Sequence, residues 1–190
     1  MARTKEFVES EVLNKAMLTF WEQGYEKTSM QDLVNQMGIH RRSIYDTFGD
    51  KHTLFMMTLE RYEHDLERDI SSRIKKEMPI QEKLRTLFSI VLTNSEKFPR
   101  GCLIVNSATE LALQDEEVSK KIKDSFSKSE QFIYQLLVDA QVSEDSLRGR
   151  NLEDLASYLN NAWVGLRVLA KTTDDIQKLN TIIDVTLSIL

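Results

Sequence analysis

A short segment near residue 40 is rich in side chains that can bind nucleic acid. Arginine can donate two parallel hydrogen bonds to the edge of a guanine, while hydroxyl and ammonium groups bind phosphate oxygens. Arg41 and Arg42 supply the first chemistry, and Tyr45, Ser29 and Lys51 are spaced for the second. The sequence therefore predicts a surface for a DNA duplex, formed by Thr28, Ser29, His40, Arg41, Arg42, Ser43, Tyr45 and Lys51.

Two short helices around a tight turn would hold these side chains in place. Thr28 stands three residues before Gln31, and Ser29 stands three before Asp32, so a capping box can begin the first helix at either position. Gly38 favours the positive φ that ends a helix. Between them, apolar residues at three- and four-residue spacing predict one buried face: Met30, Leu33, Val34 and Met37.

The second helix is expected from about His40 to Thr47. Ile44 and Phe48 form its inward stripe, and the polar and basic residues remain outward. In a helix-turn-helix of this kind, the leading residues of the second helix reach base edges in the major groove of B-DNA.

A series of residues at fixed spacing extends the pattern on both sides of the turn. They are Gly24-Tyr25, Thr28-Ser29-Met30, Asp32-Leu33, Gly38-Ile39, Ser43-Ile44-Tyr45, Phe48, Lys51 and Leu54-Phe55. Together they resemble the DNA-binding signature of the TetR family of one-component transcriptional regulators. Further along the chain, Gly101-Cys102-Leu103 and Asn106 resemble a subset of that family.

The resemblance implies an all-helical homodimeric regulator whose larger C-terminal domain binds an inducer or senses a chemical signal. Two positions depart from the family pattern. The family commonly has a small hydroxyl residue where His40 stands and glycine or another small residue where Arg42 stands. We therefore expect the operator to differ from the common ones.

The overall charge argues against a nucleic-acid partner. The chain of 190 residues has a formal net charge of −5, and residues 1–52 carry seven Lys or Arg against eight Asp or Glu, for −1. Nucleic-acid-binding domains are often strongly basic. The local field at the reading surface, rather than net charge, decides the encounter with DNA, and cations flank that surface.

Composition argues against a membrane protein, a secreted protein and a metal-binding protein. Few glycines and prolines, with 41% hydrophobic residues, are typical of a helical globular protein. No apolar run approaches the roughly 20 residues of a membrane span, and the first residues lack the apolar core of a signal peptide, so we expect a cytoplasmic protein. One cysteine and three scattered histidines predict neither a disulfide nor a metal site, and no cofactor is expected.

Helical periodicity continues to the end of the chain and predicts an all-α fold of about nine helices. We expect a first helix from about Thr4 to Gln23, and a connector helix from Lys51 to about Glu77. A helix begins at Pro79 and ends near Phe98. The predicted domains are 1–50 for DNA binding and 51–190 for signal sensing and dimerisation.

The last two helices are apolar enough to form an interface with a second chain. They begin after Asn151 and after Asp174 or Asp175. Either they close the core of one protomer or they pair with their copies as a four-helix interface, which the resemblance favours. Under the second interpretation the dimer forms around Trp163 and Ile183.

A signal-binding cavity is predicted among the C-terminal helices, since pockets are mainly apolar with a few polar groups. Asn106, Glu110 and Arg167 are polar residues in otherwise apolar helices, although for each one alone the simpler explanation is structural: Asn106 would satisfy a buried backbone group, and Glu110 and Arg167 would pair with each other or with water. The candidate ligand-binding residues are Tyr62, Phe88, Leu92, Cys102, Asn106, Glu110, Phe126, Tyr134, Trp163 and Arg167.

Cys102 is the only cysteine, and it stands at the start of a predicted helix near Arg100. The helix start and the positive charge of Arg100 both favour a reactive thiolate, so oxidation or alkylation could alter the packing of that helix. The alternative is a small apolar filler of the core.

Two other functions remain open. The first is an all-helical enzyme. The sequence contains no serine elbow, phosphate loop, HExxH motif or paired-carboxylate arrangement, so this alternative has no catalytic motif to support it. A helical protein-interaction module that no longer reads DNA is the second alternative, and the acidic composition favours it.

Overall fold

The computed structural model describes residues 7–92, 98–141 and 144–190, and within these ranges the fold is all-α, as predicted. It contains no strand there and nine α-helices: α1 Glu9–Gln23, α2 Met30–Met37, α3 Arg41–Phe48, α4 Lys51–Arg73, α5 Ile80–Ser89, α6 Leu103–Leu111, α7 Glu116–Gln141, α8 Leu152–Leu169 and α9 Ile176–Leu187. Two single 3-10 turns, Ile90–Leu92 and Asp145–Leu147, follow α5 and α7.

Three predicted helix boundaries are wrong. The first helix begins at Glu9, with Val8 in extended backbone before it, and the residues before Phe7 lie outside the described ranges. The connector α4 ends at Arg73 because Ile74 is extended, with φ −85° and ψ 116°. The helix after Pro79 ends at Ser89, and residues 93–97 of its predicted span are not described.

Side-chain caps begin several helices where the sequence predicted them. The Ser29 hydroxyl accepts the amide of Asp32 while the Asp32 carboxylate accepts the amide of Ser29, which is a complete capping box. The Asn151 side chain begins α8, and Asp175 begins α9 by accepting the amide of Lys178 at 2.9 Å. These bonds satisfy amides that a helix start leaves unpaired.

Buried apolar side chains form two clusters. The first joins α1, α2, α3, the first part of α4, α6 and the start of α7. The second joins α5, the second half of α7, α8 and α9. Helix α1 packs along α4 and α7 packs along α8, so the connector reaches from the first cluster towards the second. Helices α4 and α6 therefore link the N-terminal helices to the C-terminal ones.

Candidate nucleic-acid interface and interior cavity

Helices α2 and α3 form a helix-turn-helix. Gly38 has a left-handed backbone (φ 71°, ψ 26°), and its amide donates to the Val34 carbonyl, which ends α2. A side chain at such a φ is unfavourable, so glycine permits the short connection. Leu33 and Ile44 are fully buried beneath the two helices. This packing holds the outer face of α3 away from the core.

The outer face of α3 carries the predicted base-reading residues. His40 precedes the helix in extended backbone, and His40, Arg41, Arg42 and Tyr45 are all exposed, whereas Ser43 is half-buried. The Arg42 side chain is 91% exposed, with its Nε 3.5 Å from the Asp46 carboxylate. An exposed pair of this kind is weak, so it would yield to a nucleic-acid partner. Both arginines are therefore exposed at the start of α3, where a DNA duplex could reach them.

Thr28 does not belong to this surface, which corrects the prediction. Its side chain is fully buried, and its hydroxyl donates to the Gly24 carbonyl at 2.6 Å. Both its position and its hydrogen bond make it part of the turn before α2. Ser29 is exposed, but its hydroxyl is occupied by the capping box with Asp32.

The start of α4 lies beside the reading helix. Lys51 is half-buried and its Nζ lies 4.2 Å from the centre of the Tyr25 ring. The Asp50 carboxylate accepts the amide and the hydroxyl of Thr53 at 2.7 Å and 2.8 Å. These hydrogen bonds hold the pKa of Asp50 below its usual value. The Asp50 carboxylate already caps the start of α4. A phosphate would therefore bind the Lys51 ammonium group rather than the backbone amides of this helix start.

Glu110, which the sequence placed among the ligand-binding residues, connects α6 with the turn between α1 and α2. Its carboxylate accepts the amides of Tyr25 and Glu26 at 3.1 Å and 2.9 Å. A Cβ on Gly24 would lie 2.9 Å from the Glu110 carboxylate, and Gly24 has a φ of 85°. Glycine therefore allows the close approach. The Glu110 carboxylate therefore links α6 to the α1–α2 turn by accepting two backbone amides of that turn.

A cavity of about 580 Å³ lies between α1, α4, the start of α6 and α8. Four of the predicted ligand-binding residues line it: Tyr62, Cys102, Trp163 and Arg167. Burial holds the pKa of the Tyr62 hydroxyl well above its usual value of 10.0, and neighbouring Cys102 raises it further. Tyr62 is therefore a neutral donor at physiological pH.

Cys102 is 2% exposed and precedes α6. The cation beside it is Arg167, whose Nη1 donates to Sγ at 3.6 Å, and not Arg100 as the sequence suggested. Arg100 forms an ion pair with Asp174 instead. Arg167 lies 65 positions from Cys102 along the chain. Helical periodicity does not indicate contacts between such distant residues, so the sequence pointed to the neighbouring Arg100 instead.

The remaining predicted residues lie elsewhere. Phe88 is buried in the second cluster, against which Leu92 and Tyr134 also pack. Phe126 lines a smaller cavity of about 90 Å³ that shares Trp163 and Arg167 with the larger one. Asn106 lines neither cavity, and its buried Nδ2 has no hydrogen-bond partner among the described residues.

Sequence reasoning missed the contribution of α1 and of the charged face of α4. Trp21 of α1, which was not among the predicted ligand-binding residues, lines the cavity and meets the Tyr62 ring at 4.9 Å between centroids. From α4, Arg61 and Arg68 both pair with Asp65, and Arg73 pairs with Asp69. The alternation of arginine and aspartate at three- and four-residue spacing is visible in the sequence. This spacing could have predicted that these arginines and aspartates share one face of α4.

The expected dimer anchors also need correction. Trp163 is 2% exposed and Ile183 is fully buried, so both belong to the interior of one protomer. Exposed apolar side chains on the same two helices are Tyr158, Val168, Ile176 and Val185.

No group of three or more His, Cys, Asp or Glu residues in the described ranges could hold a metal ion. No helix in those ranges combines the length and the apolar character that crossing a membrane requires.

Comparison with known proteins gives a consistent result. Residues 12–56 match the family model of bacterial regulatory proteins of the tetR family, and residues 81–185 match that of the tetracyclin repressor-like C-terminal domain. An uncharacterized HTH-type transcriptional regulator of Bacillus subtilis, YezE, is 33% identical over the whole of both chains. The Escherichia coli HTH-type transcriptional repressor ComR is 28% identical, with 97% of this chain and 90% of ComR aligned.

A solved structure is similar over nearly the full length. It is a cysteine mutant of the TetR family transcriptional regulator CifR complexed with 26-bp double-strand operator DNA, with a TM-score of 0.89, 26% identity and 98% of each chain covered. The N-terminal family model covers α2 and α3, and the C-terminal model covers most of the remaining helices. This chain therefore belongs to the TetR family and is a helix-turn-helix DNA-binding transcriptional regulator, not an enzyme.

Proposed function

We propose that the protein is a homodimeric repressor that binds a pseudo-palindromic operator in the cytoplasm and is released by a small-molecule inducer or by modification of Cys102. The observation that carries the proposal is the pair of exposed arginines, Arg41 and Arg42, on the outer face of a packed α3. ComR is named a repressor, and the similar CifR structure holds operator DNA, which supports the same role here.

The two proposed functional domains meet at residue 50. Residues 1–50 read the operator, and residues 51–190 sense the signal and form the dimer. Packing is continuous across this division, since Leu54, Phe55 and Leu59 of α4 belong to the same buried cluster as α1. A change in α4 or α6 would therefore reach the reading helix through packed side chains.

Dimerisation is proposed through the outer faces of α8 and α9. Tyr158, Val168 and Val185 are 48%, 46% and 66% exposed. Gly165 lies between the first two on α8 and has open space around its Cα. Small and apolar residues on adjacent helices permit close approach of a second pair. A two-fold dimer would place two reading helices about 34–36 Å apart, or a multiple of that.

Release requires a ligand that binds one DNA-binding state more tightly than the other. The cavity lies between α1 of the reading unit and α4, α6 and α8, so its occupant would contact both parts. Cys102 also lines it, and an adduct on Sγ would add bulk in the same space. Both routes would act on the spacing of the two reading helices.

Selection from randomised duplexes tests the proposal and distinguishes it from a protein-interaction module, which the net charge of −5 favours. A regulator should enrich one pseudo-palindrome, and an interaction module should enrich none. Arg41→Ala and Arg42→Ala should lose about 1–3 kcal/mol at the cognate base and change sequence preference. Lys51→Ala should weaken all duplexes alike and reduce the salt dependence.

Arg148→Ala is the matched control, because Arg148 is exposed in the turn after α7 and pairs locally with Asp145. It should leave operator binding unchanged. Equal affinity of wild type, Arg41→Ala, Arg42→Ala and Lys51→Ala for the selected operator would contradict the assignment of α3 as the reading helix.

A further inference from the structure

Arg167 carries a buried positive charge for which the described residues supply no carboxylate within ion-pair distance. The residue is 6% exposed and lines the cavity of about 580 Å³. Its one hydrogen bond in the described ranges is from Nη1 to Cys102 Sγ at 3.6 Å, and a thiol sulfur is a weak acceptor. A guanidinium has five N–H donors, and a buried charge is costly unless an anion or acceptors surround it. Most of its hydrogen-bonding capacity is therefore unused.

The rest of the lining adds to the positive field. Among the cavity residues are four arginines, at positions 61, 68, 73 and 167, and two aspartates, at positions 65 and 69, for a formal balance of +2. The aspartates are already occupied by arginines of α4: Asp65 by two of them and Asp69 by Arg73. No lining carboxylate is left over for Arg167. The field inside the cavity therefore favours an anion and disfavours a cation.

Aromatic and apolar side chains form the other walls. Trp21, Tyr62 and Trp163 line the cavity, together with Met17, Leu66 and Phe98. The Arg167 guanidinium already covers the Trp163 ring, with Cζ 3.2 Å from its centroid, so that face is not open to a ligand cation. An apolar ligand body would bury its surface against these side chains while its charged end approached Arg167.

We propose that the cavity binds an amphipathic organic acid, an aromatic or alkyl carboxylate whose head group pairs with Arg167 and whose apolar body packs against the contacting rings of Trp21 and Tyr62. A carboxylate can accept two parallel hydrogen bonds from one guanidinium, which a neutral amide or alcohol cannot match. The volume of about 580 Å³ suits a small organic acid. The role of this acid as the inducer rests on the proposed function. The binding of the acid to the cavity does not depend on it.

The two tryptophans of the chain, Trp21 and Trp163, both line the cavity, so intrinsic fluorescence reports on its occupant. The test titrates wild-type protein with benzoate, 2-naphthoate, indole-3-acetate, octanoate and dodecanoate, and with the primary amide of each. Calorimetry on the same pairs confirms the fluorescence affinities. We expect at least one carboxylate to bind roughly 10–100-fold more tightly than its amide, as a charge-assisted bond would require. This comparison uses unaltered protein and so does not depend on the folding of a variant.

Variants then locate the head group. Arg167→Gln should remove the preference for carboxylate over amide, and Arg167→Lys should retain part of it because the charge remains without the bidentate geometry. Arg100→Gln is the matched control, since Arg100 is an exposed arginine paired with Asp174, and it should keep the full preference. Circular dichroism and thermal unfolding establish that each variant is folded.

The outcomes separate this inference from the proposed function. Amides that bind as tightly as their acids, a preference unchanged in Arg167→Gln, or no quenching by any member up to about 1 mM would each overturn the inference. Operator binding measured in parallel by gel shift would be unaffected by that failure. Conversely, carboxylates that bind through Arg167 without releasing the selected operator would sustain the ligand class and refute the inducer role.

Discussion

Replacing Glu110 tests whether the link between α6 and the α1–α2 turn persists in solution. The Glu110 carboxylate accepts two backbone amides, that of Tyr25 at 3.1 Å and that of Glu26 at 2.9 Å. Glu110→Ala removes both bonds at once. Glu110→Gln keeps one acceptor oxygen but places an NH₂ group opposite the other amide, so it should have an intermediate effect.

The magnitude follows from the burial of the two amides. A hydrogen bond to a charged group contributes about 1.5–3 kcal/mol when it is well buried. Glu26 is exposed, so water replaces most of that bond, whereas Tyr25 is half-buried. We expect Glu110→Ala to lower the free energy of unfolding by roughly 1–2 kcal/mol. For a chain of this size, that corresponds to a decrease in Tm of about 2–8 °C.

The assay combines thermal unfolding with amide hydrogen exchange over the segment containing Tyr25 and Glu26. Both amides should exchange faster in Glu110→Ala, with Glu110→Gln between it and the wild type. Thr109→Ala is the matched control, because Thr109 is exposed on the same helix and its hydroxyl bonds only locally to the Asn106 carbonyl. A Tm within about 1 °C of wild type, with unchanged exchange at both amides, would refute the reasoning.

The remaining predictions concern assembly, acid stability and the thiol. Val185→Glu should convert a dimer to a monomer by light scattering, whereas Val8→Glu, at an exposed valine before α1, should not; a monomeric wild type would contradict the proposed interface. A hydrogen bond from the α7 backbone holds the pKa of Asp115 below 3.8, so its stabilisation is present above about pH 4 and is lost as the pH falls further. Asp115→Asn should flatten unfolding stability against pH in that acid range, and an unchanged pH dependence would contradict this role of Asp115. Peroxide or a mild alkylator should release operator from wild type and not from Cys102→Ser, and equal release from both would show that the thiol is only a core filler.

Local patterns determined the helix-turn-helix. The Ser29–Asp32 capping box, the glycine at 38 and the apolar stripe ending at Met37 act over three or four residues, so spacing along the chain specifies them. The same is true of the caps at Asn151 and Asp175. The all-α fold and the family resemblance were therefore readable before any tertiary contact was known.

Termini of the longer helices were less predictable. The connector was expected to reach Glu77 because its sequence remains helix-compatible, yet α4 ends at Arg73. Ile74 packs against the second cluster, and this tertiary contact competes with one more helical turn. Propensity is a weak preference that packing overrides.

Tertiary structure alone decided the roles of the polar residues in the C-terminal helices. Glu110 and Arg167 stood out equally as polar residues in apolar helices, but one faces backbone amides of the α1–α2 turn and the other lies beside Cys102 and Trp163 in a cavity. Their partners stand 85 and 65 positions away along the chain. Helical periodicity specifies which face a residue occupies and carries no information about which distant helix covers that face. The exposed arginines of α3 follow from local sequence, whereas the chemistry of the cavity depends on how α1, α4, α6 and α8 come together.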